Sequence, residues 1–400
     1  MVYLAVLIIL IYFIYQFDYC HKVKNRNISY CFILIVLIAI AGLRYRLGVD
    51  SVRYERMHIT TPSLLELDIA DFDGNRFDPL YLCFASFAKM LGDEFWILQL
   101  LHAAFINIVV FWFVKGNTKN IFTAIFLYYI FLYFPFLFEA MRESCAVAMV
   151  LLGWKYLKND RWWMFLLHCI LATLFHTSAI VFILFPLLKV FGIWKYIRIN
   201  KYTVLLLILF FHIGNVIREY FFDYIILLNL SDQINAKASI YSSEKWSDQT
   251  LNLIGMMGIS VRYVLYPIIA VYIIRKSHIV LNKNLEALLY ISFVIVILSF
   301  NIRILYRYSN YLMPFSIIAI AECCYLSKMY VSRRKYLCNR YFALWLLVLF
   351  PISFLQFHEY WHNVDNTPYK TYMRYYPYSS IFTKSIDSNR ENLFYYYNAY

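Results

Sequence analysis

The sequence predicts an all-α fold: a polytopic bundle of about twelve membrane-spanning helices. Three observations carry that reading. Of 400 residues, 62% are apolar and only 15% are charged, a balance too greasy for an ordinary soluble domain. The apolar residues come in long runs, and short charged stretches separate those runs. Basic residues gather in alternate loops, as membrane topology requires.

The expected spans, in order, are 2–17, 28–43, 95–114, 121–138, 140–157, 162–175, 178–192, 202–218, 251–274, 285–301, 309–326 and 340–356. The first begins apolar at once, with no basic leader and no small-residue cleavage site, so it reads as a span rather than a signal peptide. The segment 79–91 is too short to cross and is expected to be re-entrant or interfacial. With that segment uncrossed, the basic loops 21–26, 115–119, 155–161, 189–201, 275–283 and 328–340 all fall on one side. By the positive-inside rule that side is cytoplasmic.

The expected organisation is a single integral membrane domain over 1–400, with extracytoplasmic loops at 44–94 and 219–250 and an extracytoplasmic tail at 357–400. No internal repeat is evident. The net charge of +13 belongs to loops between spans, which argues against a nucleic-acid partner. The eight cysteines lie in or beside apolar runs without C-x-x-C spacing and read as packing residues, not a disulfide or metal framework. No metal or cofactor is expected.

Ionisable residues near an apolar slab are costly and therefore informative. Arg44, Arg46 and Asp50 follow the second span. Glu139, Arg142 and Glu143 occupy the tight turn "FEAMRES", His176 the turn "LFHTSA", and Arg303 and Arg307 the turn "NIRILYRYSNY". The topology sends all of them to the extracytoplasmic face, where arginine is disfavoured. Each arginine taken alone could snorkel to a headgroup. Taken together they suit a shared anion, which guanidinium grips through paired donors. Arg262 stands deeper, inside a span, and either pairs internally or lines a cavity floor. The tail "YMRYYPYSS…LFYYYNAY" holds more tyrosine than a membrane belt needs, and such rings also stack on sugars.

These motifs in this order resemble the EpsG family, which is related to Wzy-type polysaccharide polymerases. Arg44, Gly48, Asp50 and Tyr54 match its R-x-x-x-G-x-D-x-x-x-Y segment. "DPLY" (78–81) stands where the family commonly has Glu-Pro, and "RESCA" (142–146) where it has R-Q-x-x-A. "FHTSAI" (175–180) and "RYSNYLMPF" (307–315) complete the series. The resemblance implies a bacterial inner-membrane enzyme for capsule, exopolysaccharide or O-antigen, with a GT-C-like, metal-independent architecture. Its partners would be undecaprenyl-diphosphate-linked oligosaccharide and membrane lipids, together with a flippase and a chain-length regulator.

The expected site follows. Arg142 with Arg303 or Arg307 clamps the diphosphate, with Arg44, Arg46, Tyr54 and Arg262 as further binding residues. Either His176 or Asp50 takes the acceptor proton, His176 being preferred because histidine titrates near neutrality. A lipid-linked oligosaccharide flippase and an O-antigen ligase-type transferase remain as alternatives.

Overall fold

The computed structural model describes residues 2–73, 77–197, 258–276, 282–300, 302, 305–332, 358, 360–363 and 367–398. Among these residues the chain is helical and has no strand, only two isolated bridges, Arg44 with Ser380 and Asn363 with Lys370. Three described helices are long and apolar enough to cross a membrane: Val2–Tyr19, Phe95–Asn117 and Gly258–Arg275. Shorter apolar helices are Arg26–Gly42, Pro79–Leu91, Ile121–Tyr133, Trp162–Phe175 and Thr177–Val190. The expected spans 202–218 and 340–356, and the expected loop 219–250, lie outside the described residues.

The chain clusters into two compact units, 1–190 with 356–400, and 191–355. The first contains α1 (Val2–Phe13), α2 (Arg26–Gly42), α3 (Ser51–Thr60), α4 (Pro79–Leu91), α5 (Phe95–Asn117), α6 (Ile121–Tyr128), α7 (Met141–Lys158), α8 (Trp162–Phe175) and α9 (Leu184–Val190). The second contains α10 (Tyr266–Lys276), α11 (Lys283–Leu298) and α12 (Tyr306–Ser332). A final helix, α13 (Ser388–Asn398), returns to the first unit.

In the first unit, α2 and α5 approach closely at Gly42, where a Cβ would stand 2.8 Å from the Leu100 Cα. Small residues permit such backbone contact where no hydrophobic drive separates helix from lipid. Polar side chains then tie the helices together. The Tyr133 hydroxyl donates to the Leu37 carbonyl at 2.7 Å, and the Tyr30 hydroxyl to the Phe111 carbonyl at 2.8 Å. Asp18 accepts from the Thr123 backbone N–H at 2.7 Å and from its hydroxyl at 3.0 Å, which joins the end of the first helix to α6. Every one of these bonds satisfies a group that lipid or core could not.

The run expected at 121–138 does not continue as one regular helix. It passes through π-helical turns at Tyr129–Tyr133 and Pro135–Glu139. Pro135 lacks a backbone donor, so the regular ladder cannot carry through it. The chain then restarts at Met141, one residue after the Ala140 N–H bonds the Pro135 carbonyl at 2.8 Å. Beneath this restart, the His102 Nε2 of α5 lies 2.9 Å from the Ser144 Oγ and 3.1 Å from the Met141 carbonyl. The first turn of α7 is therefore held from below.

Helix α3 packs one side inward, with Ser51, Tyr54 and His58 buried. Among the described residues, neither ring nitrogen of His58 has a hydrogen-bond partner. Burial, then the charge of Lys89, pushes its imidazole down to about 4. An unfolded chain charges that histidine near 6.5. Stability from the neutral ring is therefore complete above about pH 6.5 and is lost as pH falls towards the folded value. Thermal unfolding in detergent should show it: between pH 7 and pH 5, wild type loses more Tm than His58→Phe.

Candidate functional site

In the first unit, three helix ends meet at Asp78: the N-termini of α4 and α7 and the C-terminus of α8. Asp78 precedes Pro79, the first residue of α4, with an extended backbone (ψ 150°). Proline at the first helical position starts a helix readily, since the N–H it lacks would be unpaired there anyway. The Asp78 carboxylate collects partners from α7, from the end of α8 and from the residue that follows it.

Arg142 Nη1 lies 3.5 Å from Asp78 Oδ2, and His176 Nδ1 lies 3.4 Å from the same oxygen. The Thr177 hydroxyl donates to Asp78 Oδ1 at 2.5 Å, and the Thr177 N–H to that oxygen at 3.3 Å. An ionised carboxylate only accepts, so in this contact His176 Nδ1 is the donor. Burial alone raises the Asp78 carboxyl. The hydrogen bonds from His176 and Thr177, and the charges of His176 and Arg142, outweigh burial and hold it below its ordinary value.

Local sequence explains each position. Arg142 lies in the first turn of α7, directly after the proline-broken run. His176 ends α8 with an extended backbone (φ −157°), and the chain resumes as the 3₁₀ segment Thr177–Ile183. Arg142 also hydrogen-bonds Tyr54, a buried ring stacked on Phe77 at 6.3 Å and 13°.

A second charged group flanks the first. Arg374 Nη1 lies 3.5 Å from Glu139 Oε1. Asp50, at the start of α3, senses both groups: burial, then repulsion from Glu139, raises its carboxyl, while Arg53, Arg142 and Arg374 oppose the rise. The segment carrying Arg374 pairs with residues 43–48. The Tyr45 N–H bonds the Ser379 carbonyl at 2.9 Å, the Ile381 N–H the Leu43 carbonyl at 3.0 Å, and the Gly48 N–H the Arg374 carbonyl at 2.9 Å. Gly48 has φ +89°, and a Cβ there would stand 2.1 Å from the Phe138 carbonyl oxygen.

The other expected residues divide. Arg44 is fully buried and donates to the Ala41 carbonyl at 2.5 Å; its guanidinium lies 5.0 Å from the Phe138 ring centre. Arg46 pairs with Glu55, its Nε 2.8 Å from Oε2, and the bond raises the guanidinium further. Arg262 and Arg307 belong to the second unit. There Arg262 is buried in the π-helical turn Val261–Leu265, 5.8 Å from the Tyr263 ring, and Arg307 is exposed in the first turn of α12. The Tyr306 hydroxyl donates to that of Tyr263 at 3.3 Å. Arg303 lies outside the described residues.

Sequence reasoning matched Asp78 to a motif but gave it no role, and met Thr177 and Arg374 only inside longer stretches. Asp78 carried one usable signal: an acid before proline at the head of an apolar helix is a costly place for a charge unless cations meet it. Among the described residues, no group of His, Cys, Asp or Glu could hold a metal ion.

Neither a curated protein nor a solved structure matches this chain. The EpsG family model matches residues 27–380. That span includes Arg44, Asp50, Asp78, Arg142 and His176, and the apolar helices Arg26–Gly42, Pro79–Leu91 and Trp162–Phe175 adjoin three of them. The chain belongs to the EpsG family and is a membrane protein of polysaccharide biosynthesis.

Proposed function

We propose that this protein joins undecaprenyl-diphosphate-linked oligosaccharide repeat units into surface polysaccharide, at the outer face of the bacterial inner membrane. The observation that carries the reading is the Asp78 cluster, which sets a guanidinium and an oriented imidazole on one carboxylate. Polymerisation of such units needs those two functions. The acceptor hydroxyl oxygen bonds the donor's anomeric carbon, and the bond from that carbon to the diphosphate oxygen breaks. The proton of the hydroxyl goes to a base, and the lipid diphosphate leaves with its negative charge.

His176 Nε2 takes the proton, and Asp78 holds the ring in the required tautomer and stabilises its charged form. Arg142 meets the leaving diphosphate with donors that do not depend on pH. Thr177 steadies the carboxylate from its other oxygen. Asp50, between the Asp78 cluster and the Arg374–Glu139 pair, is the second candidate for the base. Arg44 is fully buried against Ala41 and Phe138, and Arg46 turns to Glu55. In this reading both shape the wall, and neither grips the ligand.

The test is a turnover assay on purified lipid-linked repeat units. His176→Ala and Arg142→Ala should each reduce polymerisation by about 10²-fold or more. Arg142→Lys should also be impaired, because lysine is a single point charge and cannot reproduce the planar fork. Wild-type rates in His176→Ala and Arg142→Ala would remove the assignment. In a deletion strain, single repeat units should persist on surface lipid while long polymer disappears. Loss of every surface glycan would favour a flippase or a ligase instead.

A further inference from the structure

The C-terminal segment has two unlike faces. One is fastened to the bundle. Tyr375 is buried, with its ring 5.3 Å from Phe134 and 5.7 Å from Phe138, and Arg374 reaches Glu139. The other face carries a line of rings. Trp361 lies 5.1 Å from Tyr372, and Tyr372 lies 6.3 Å from Tyr376, centre to centre. Trp361 is 61% exposed and Tyr376 50%.

These rings do not dangle. Asn363 and Lys370 form a backbone bridge, and the Thr371 N–H and hydroxyl both donate to the His362 carbonyl, at 2.9 and 3.2 Å. The bridge holds Trp361 against Tyr372. The 3₁₀ segment Thr371–Arg374 sets Tyr372 and Tyr376 one turn apart, and the Tyr376 N–H bonds the Tyr372 carbonyl at 3.0 Å. Trp361 and Tyr376 are exposed, Tyr372 between them is half-buried, and neighbouring ring planes are tilted by 51° and 60°, so each ring offers its own face.

We infer that Trp361, Tyr372 and Tyr376 form a carbohydrate-stacking platform for the glycan strand extending from the Asp78 cluster. The inference rests on the polymerisation reading for its choice of ligand. Sugar rings have an apolar C–H face and a hydroxyl edge, and tyrosine and tryptophan answer both with a flat ring and a polar tip. The platform also adjoins the site through its own backbone: Arg374, between Tyr372 and Tyr376, pairs with Glu139, three residues before Arg142. A strand bound there stays beside the reacting groups between additions, so the platform sets polymer length without entering the chemistry.

The experiment uses the full chain in lipid nanodiscs. The probe is lipid-free oligosaccharide released by mild acid from the producing cell's own polymer. Trp361→Ala and Tyr376→Ala should each weaken its binding about tenfold or more, the scale of one lost stacking contact. Both should shorten the polymer while leaving Tm and the joining of two single repeat units unchanged. Unchanged affinity and unchanged polymer length would overturn the platform. So would brominated-lipid quenching that Trp361→Phe abolishes, since the ring would then be a membrane anchor. A wild-type protein that binds the probe but forms no polymer would instead sink the polymerisation reading and leave the platform standing.

Discussion

Asp78→Ala is expected to reduce polymer formation by about 10²-fold or more, at least as severely as loss of His176 alone. One carboxylate orients His176, pairs with Arg142 and receives two hydrogen bonds from Thr177. Its removal frees the imidazole to turn and leaves Arg142 without its neighbouring acid. Asp78→Asn keeps the shape but loses the charge. An amide presents a donor as well as an acceptor, so it no longer selects one histidine tautomer.

The same variant has a signature in stability. The Asp78 carboxyl is held below its unfolded value. Its contribution is therefore complete above the ordinary carboxylate pKa, about 4, and is lost as pH falls through the lower folded value. The Tm advantage of wild type over Asp78→Asn should be constant between pH 7 and pH 5 and shrink in stronger acid. A constant advantage down to pH 3 would mean that Asp78 acts by packing rather than by charge.

Gly48→Ala should damage the protein more than any other single methyl addition in this region. A side chain at φ +89° is strained, at a cost of about 1–3 kcal/mol. Its Cβ would also meet the Phe138 carbonyl at 2.1 Å, and that oxygen belongs to backbone that cannot rotate away. Either the 43–48 wall or the π-helical turn before Arg142 must move. The expected outcome is a lower Tm and a loss of turnover greater than the stability change explains, measured on purified protein in detergent. Gly116→Ala is the control, because nothing lies within 4 Å of a Cβ there.

Much of the helical frame was legible because lipid-facing helices advertise themselves in composition. The expected spans 28–43, 140–157 and 162–175 lie within a residue or two of Arg26–Gly42, Met141–Lys158 and Trp162–Phe175. The short segment 79–91 is helix Pro79–Leu91. Meeting of Arg142 with His176 was also within reach, since both border tight turns at the same end of neighbouring helices.

What could not be read was long-range pairing. Nothing local in "RYRLGVD" says that Tyr45 will bond Ser379, or that Arg44 will face the core and Arg46 turn to Glu55. An arginine on a turn has a reach of several ångströms, and packing decides where it goes. Asp78 illustrates the same limit: its role arises from two helices distant in sequence, and only the assembled bundle brings them to one carboxylate.

The pairing of residues 43–48 with 374–381 has a consequence for biosynthesis. A chain emerging from the ribosome completes its first helices long before Arg374 and Ser379 exist. Until those residues arrive, the Gly48 N–H and the Leu43 carbonyl lack the partners they have in the finished protein. The order of synthesis therefore acts as a lock with a late key. Interrupted chains lack the segment that pairs with residues 43–48.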